Sequence, residues 1–434
     1  MKKKDKLSRR GFLKTSAALA GTALAGATGV SSRVYAAGSD VVKVGLIGCG
    51  GRGAGAVVSA LTVNPNAKLT AMADAFGDRL ERIRKSLKQK MRDQVAVDDD
   101  HCFTGFDGYR KLIDSGVDVA ILASPPHFRP IHAEACVDGG VHVFAEKPMA
   151  VDAPGVRRIL AAGQKARQKK LSFVSGFETR YSDNAREAVK RLHAGAIGEI
   201  TSMEALYNTG YLWHRGREPE WTEMQFQLRN WYYFTWLSGD HIVEQHVHLE
   251  DFVSWIMQDE PPLHAWGTGG RQVRTEPQYG DIFDHHAVVF EYPNGTRVYA
   301  FCRQQRDCYN SVSFMAQGTK GRMTGWGRIT IEGRTKWSAD RGRIHPEINT
   351  FKEMFAGMQG GKPVNDSVAM ARSTMLAILG RMATYSGQRI TWEQAFESNQ
   401  VLAPERYAWD ATPPVLPGAD GNYPHAVPGV TKAL

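Results

Sequence analysis

The chain has 434 residues, 42% of them hydrophobic and 23% charged. That is the composition of a soluble globular protein with room for two domains whose cores need no disulfide support. The net charge of +9 does not call for a polyanionic partner, because eight basic side chains and one acid lie within the first 36 residues and leave the remainder near +2.

In chain order, Ser8-Arg9-Arg10-Gly11-Phe12-Leu13-Lys14 matches the twin-arginine export pattern. A Gly- and Ala-rich apolar stretch, 15–30, follows and ends at Val34-Tyr35-Ala36, a small-residue cleavage pattern. The stretch is short of the strongly apolar ~20 residues that a membrane span needs. Residues 1–36 are therefore expected to be a signal peptide, and the expected location is periplasmic or otherwise exported.

The next run, 41–47 (VVKVGLI), is β-branched and apolar, as a buried strand requires. Gly48-Cys49-Gly50-Gly51-Arg52-Gly53 follows at once and fits G-x-G-x-x-G at the start of a small-residue helix. In that motif one glycine permits the turn, one lets backbone approach a pyrophosphate, and one lets helix and strand pack closely. A second strand, 69–73, ends in Asp74, near the spacing of the acid that binds the adenosine ribose. An acid there disfavours a 2′-phosphate, so the expected cofactor is NAD. Strands over 117–123 and 141–145 and a helix over 130–138 continue an alternating pattern that predicts a parallel sheet. Its ligand-facing strand ends would carry Asp74, Ser124-Pro125-Pro126-His127 and Glu146-Lys147-Pro148.

Leu171–Gly176 closes this first domain, and Glu199–Tyr207 opens the second. Runs at 287–292 and 296–303, joined by Pro293-Asn294-Gly295, predict a hairpin. The fold class is thus α/β: an N-terminal Rossmann parallel sheet over 37–176, then an α+β domain with an open, largely antiparallel sheet over 177–395. A long helix is expected over 368–385, and an irregular tail over 396–434. Five cysteines, with no CxxC, argue against a zinc ribbon or disulfide scaffold, and pairing of Cys302 with Cys308 stays open.

The glycine fingerprint, Ala73-Asp74, Ala123-Ser124-Pro125-Pro126, His132 and above all Glu146-Lys147-Pro148 resemble the Gfo/Idh/MocA oxidoreductases. That resemblance, from about Val41 to Ala395, implies that Gly48, Gly50, Gly51, Arg52, Gly53, Asp74, Ser124, Pro125, His127, Glu146 and Lys147 hold the cofactor. It also implies that Lys147 hydrogen-bonds the reacting hydroxyl. The family carries D-x-x-x-H-x-x-D on a second-domain helix, and Glu244, His248 and Asp251 reproduce the spacing with Glu in the first place. At i and i+4, Glu244 would share a helical face with His248 and orient it as the base. Carbohydrate contacts are expected from Arg229, Trp231, Asp251 and Arg271. About half of the aromatic run Trp213, Trp221, Phe226, Trp231, Tyr232, Tyr233, Phe234 and Trp236 is expected in the core.

His241, His246, His248 and Asp284-His285-His286 bring metal-ligand types together, but at poor spacing, and no metal is expected. The leading expectation is an NAD-dependent oxidoreductase acting on a ring hydroxyl of a sugar or cyclitol, with tightly held, recycled cofactor. A redox-neutral NAD-dependent glycosidase and a non-catalytic sugar-binding protein are the alternatives. Expected partners are a carbohydrate, the twin-arginine machinery and further copies of the chain, with no nucleic acid and no stable membrane span.

Overall fold

The computed structural model describes residues 41–434 except 340, 341 and 343, so the expected signal peptide lies outside the described residues. Six strands form the first sheet: β1 (Val42–Ile47), β2 (Ala67–Asp74), β3 (Cys102–Thr104), β4 (Val119–Leu122), β5 (His142–Ala145) and β6 (Phe173–Ser175). They run parallel in the order β3-β2-β1-β4-β5-β6. β4 is buried at all four positions and β1 at five of its six, which explains the near-continuous apolar runs: helices cover both faces of a parallel sheet. The reversal of strand order between β1 and β4 opens a crevice at their carboxyl ends.

The second sheet comprises β7 (Ile200–Thr209), β8 (His264–Gly270), β9 (His285–Glu291), β10 (Arg297–Gln304), β11 (Ser311–Gly318), β12 (Gly321–Thr324), β13 (Ile329–Glu332), β14 (Lys336–Ala339) and β15 (Ile390–Thr391). Its order is β14-β13-β12-β11-β7-β10-β9-β8-β15. β10 pairs parallel with β7, and the other pairs are antiparallel. The hairpin expected at Pro293-Asn294-Gly295 joins β9 to β10, with Gly295 at φ +83°. The long helix is Ser367–Ser386, stopped by left-handed Gly387, and it packs over β8 and β9. Among the described residues, no helix is long and apolar enough to cross a membrane. All five cysteines are free; Cys302 is buried and Cys308 exposed.

The boundary between domains is less linear than 177–395 implies. The helix Pro346–Gln359 lies against Gly51–Val63, and Phe351, Met354 and Phe355 complete the core beneath β1, β4 and β5. Phe351 stacks on Phe144 at 4.6 Å between ring centroids. Asn365 then bridges to Phe173 of the edge strand β6. Phe351 is fully buried, so Phe351→Ala should destabilise the protein by about 3–5 kcal/mol, measured as a shifted denaturant midpoint with unchanged slope.

The tail after Glu397 is irregular, as expected, and wraps its own chain. Tyr407 hydrogen-bonds His127 at 2.7 Å, and Trp409 packs on Phe76 and Phe106.

Candidate active site

The helix Gly51–Val63 starts at Gly50 with no side-chain cap, so its first N–H groups face the crevice unpaired by side chains. Gly48 has φ +98°, and a Cβ there would lie 2.3 Å from the Ser124 nitrogen. A Cβ at Gly53 would lie 2.5 Å from the Gly48 carbonyl oxygen. At Gly50 and Gly51 it would meet nothing within 4 Å, which is the open backbone that a pyrophosphate needs. Gly48 and Gly53 therefore serve turn and packing, while Gly50 and Gly51 face a cavity of about 410 Å³.

Asp74, Ser124, Pro125 and Arg52 also line that cavity. Asp74 Oδ2 accepts the Cys49 N–H at 2.7 Å, and Oδ1 accepts the Phe76 N–H at 2.9 Å. Burial raises its pKa, although Arg79 and both backbone N–H groups oppose the shift. Arg52 is held from behind: its Nε donates to buried Glu146 at 2.6 Å, and its guanidinium also pairs with Glu347. The uncapped helix end, the open glycines and Asp74 together fit a dinucleotide.

Several expected cofactor residues are placed differently. His127 is buried between Tyr407 and Trp236, outside the cavity walls, and burial pushes its pKa down to about 3. Glu146 reaches the cavity only through Arg52. Lys147 also stands outside these walls, just beyond β5, and turns to the second domain.

There the chain makes an unusual turn. The short helix Thr235–Ser238 ends in Gly239 at φ +79°, and Asp240 is also left-handed at φ +74°. Asp tolerates this conformation because its carboxylate can satisfy nearby donors, here the His241 N–H and ring, the Phe283 N–H and the Tyr385 hydroxyl. Ile242–His246 then forms a π-helix before the α-helix Val247–Ile256. Widening the turn rotates Glu244 off the α-helical i,i+4 face. Glu244 consequently meets Lys147: the ammonium donates to its carbonyl oxygen at 2.5 Å and to Oε1 at 2.9 Å. The expected pairing of Glu244 with His248 does not form; no hydrogen bond joins them among the described residues.

His248 is half-buried and stands 6.0 Å from the Trp326 ring. Burial, then the charges of Lys147 and Arg52, hold its pKa well below the usual histidine range. The structure thus gathers Lys147, Glu244 and His248, with changed pairing. Gln304 supports this region by donating to Gln245 at 2.7 Å and to the Tyr232 hydroxyl at 2.8 Å.

The carbohydrate contacts expected from sequence need correction. Asp251 is fully buried, with Oδ1 accepting Arg180 at 2.8 Å and Ser373 at 2.7 Å, so it braces helices. Arg271 donates to the carbonyls of Arg274, Glu276 and Gly280 and ties a loop. Arg229 and Trp231 line the dinucleotide cavity, and Arg229 is paired with Asp78. Of the aromatic run, Phe226, Tyr232, Tyr233, Phe234 and Trp236 are core, whereas Trp213 and Trp231 face the cavity. Sequence reasoning missed Phe76, Arg79, Phe106 and Tyr109 in its walls. Arg79 carried a usable signal, a cation in the first turn after Asp74; the others look like ordinary core aromatics.

Asp240, His241 and His286 have ligand-type atoms within 4.8 Å of one another and are all buried. Both Asp240 oxygens, however, already accept protein donors. The cluster anchors the turn before the π-helix, and His246 and His248 lie outside it.

The family model for the oxidoreductase family with NAD-binding Rossmann fold, GFO_IDH_MocA, matches residues 42–175. The GFO/IDH/MocA C-terminal domain model matches 185–324, so the two span more than half of the chain. Inositol 2-dehydrogenase 1 of Saccharopolyspora erythraea is 28% identical over 207 residues, covering 48% of this chain and 57% of that protein. A glycosyl hydrolase family 109 protein of Shewanella amazonensis is 28% identical over 216 residues, covering 46% of each. The chain thus spans only about half the length of these two relatives. A levoglucosan dehydrogenase solved with NADH and levoglucosan shares the fold at TM-score 0.65 and 16% identity, over 82% of this chain and 100% of that one. The chain belongs to the GFO/IDH/MocA oxidoreductase family, and its first domain is that family's NAD-binding Rossmann domain.

Proposed function

We propose that the protein is an NAD-dependent oxidoreductase acting on a ring hydroxyl of a sugar or cyclitol. The observation carrying this reading is the Lys147 ammonium held by Glu244 beside His248, just past the end of β5. An ammonium has three donors. Glu244 occupies two of them, which leaves one for a substrate hydroxyl. His248, neutral at pH 7, is the group that accepts that hydroxyl's proton. Gly50, Gly51, Arg52 and Asp74 hold the dinucleotide, and NAD bound there supplies the hydride acceptor.

The twin-arginine pattern at Ser8–Lys14 supports export in the folded, cofactor-loaded state. An exported cofactor with no external pool must be returned to its starting state in each turnover. The name of the Shewanella amazonensis relative favours a second, redox-neutral reading. In it the hydroxyl is oxidised transiently, the glycosidic bond is eliminated, and hydration and reduction complete hydrolysis.

Absorbance and mass analysis of purified mature protein, before and after a sugar panel with no added cofactor, tests these readings. Bound NAD that becomes reduced, and stays reduced until a second sugar arrives, is expected for the oxidoreductase. Released monosaccharide without net reduction would select the glycosidase. Bound NAD with no turnover on any sugar would leave a binding protein.

A further inference from the structure

The dinucleotide cavity has a wall that the Rossmann domain does not supply. Besides the glycine turn, the second-domain segment after β7 contributes Trp213, Arg215, Leu228, Arg229 and Trp231 to its lining. This segment is tied in place. The Arg215 N–H donates to Asn230 Oδ1 at 2.8 Å, and fully buried Asn230 donates to the Gln278 carbonyl at 2.7 Å.

Arg229 makes the connection across the domains. Its guanidinium grips Asp78 of the first domain at 2.9 and 3.1 Å. Its central carbon lies 4.1 Å from the Phe76 ring centroid and 4.9 Å from that of Trp221. A first-domain ring and a second-domain ring thus both contact one planar cation, the arrangement in which Arg is not replaceable by Lys. The hydrogen bond from Arg229 holds the Asp78 carboxyl below its usual range, so the pair is charged at neutral pH.

The tail reinforces the same place from outside. The Thr222 hydroxyl donates to the Trp409 carbonyl at 2.8 Å. The Trp409 ring lies 5.1 Å from Phe76 and 4.7 Å from Phe106, both of which line the cavity. Arg79, Arg82, Arg215 and Arg229 on the walls suit an anionic occupant.

We propose that residues 213–231 form a latched cover over the dinucleotide, with Arg229 and Asp78 as the latch. Trp213, Arg215 and Trp231 are then cofactor-binding residues supplied by the second domain. The nucleotide exchanges only when the Arg229 fork leaves Asp78 and Phe76, so it is captive through many turnovers. This rests on NAD being the ligand of the cavity.

The test is the dissociation rate of NADH from full-length mature protein. Protein loaded with NADH is mixed with excess NAD, and the loss of bound-NADH fluorescence is followed. Arg229→Ala is expected to speed release by about tenfold or more, since a stacked, bidentate guanidinium contact is lost. Arg229→Lys should fall between, keeping the charge without the fork. Asp78→Asn should also speed release, and salt should speed release from the wild type. Thermal melts of each variant confirm folding. Wild-type release rates in a folded, NADH-loaded Arg229→Ala variant would overturn the cover. Absence of NADH binding in the wild type would instead remove the cofactor reading, and the cover with it.

Discussion

Replacing Lys147 with methionine is expected to lower kcat on the productive sugar by a factor of about 10²–10⁴. Methionine keeps the length and the apolar stem, so the cavity formed by the glycine turn and Asp74 should still take up NAD to the wild-type level. The ammonium is what disappears, and with it the donor for the hydroxyl and the counter-charge for Glu244. The pH profile should change too. Lys147 is the charge with the largest effect on the His248 imidazole, so removing it raises the histidine pKa and moves the acid limb of any residual activity upward in pH. Single-turnover reduction of bound NAD by the sugar provides the measurement. Undiminished reduction in the variant would strip Lys147 of its role, and loss of bound NAD would mark the lysine as part of the nucleotide site instead.

A second large effect is expected in stability against acid. His127, His132 and His246 are buried with pKa values pushed down to about 3, and His241 to about 4, in each case chiefly by burial. In the unfolded chain such groups titrate near 6.5. Between about pH 6.5 and pH 4 the unfolded state therefore binds more protons, and stability falls as pH falls. Each histidine contributes on the order of 1 kcal/mol per pH unit within that window. Asp281 acts the other way: burial pushes it up to about 7, so between its ordinary value and 7 it favours the folded state as pH falls. Glu250, Asp74, Asp251 and Asp366, also raised chiefly by burial, act with Asp281. His142, pushed down to about 4, and His248, held well below its usual range, join the other four, so six histidines stand against five carboxyls and set the sign. Urea midpoints measured from pH 7.5 down to 4.5 should decline steadily, and His127→Phe should flatten the decline. A midpoint that rose on acidification would show that carboxyls, with Asp281 foremost, control the balance.

The first domain was legible because its signals are local. The run 41–47, the glycine turn and Asp74 lie within one contiguous stretch, and each glycine's duty follows from the backbone it must adopt. Lys147 was legible through its neighbours Glu146 and Pro148. Glu244 was found, but its partner was not, because the i,i+4 rule assumes an α-helix and the chain widens to a π-helix there. Nothing in Ile242–His246 announces that widening; Asp240, two residues before it, is held by Phe283 and Tyr385, far away in sequence. Asp251 and Arg271 failed for a related reason. A charged residue near a motif can be a ligand contact or a brace, and only the positions of Arg180, Ser373 and the 274–280 carbonyls decide between them. The cover over the cavity was half legible: the aromatic density of 213–236 was plain, but only the fold shows that Trp213 and Trp231 are the rings that line the cavity.

The return of Pro346–Gln359 and Asn365 to the first sheet bears on the order in which the chain can fold. Phe351 and Met354 fill the core under β1 and β4, and Asn365 extends the edge at β6. A nascent chain emerging amino-terminus first therefore makes the strands of its nucleotide domain early yet cannot seal that domain until the segment through Asn365 has left the ribosome. Until then the sheet carries an unfilled apolar face, so the second domain must be synthesised before the first is finished. The two lobes mature together, and the core beneath the nucleotide cavity is complete only when Pro346–Gln359 is in place.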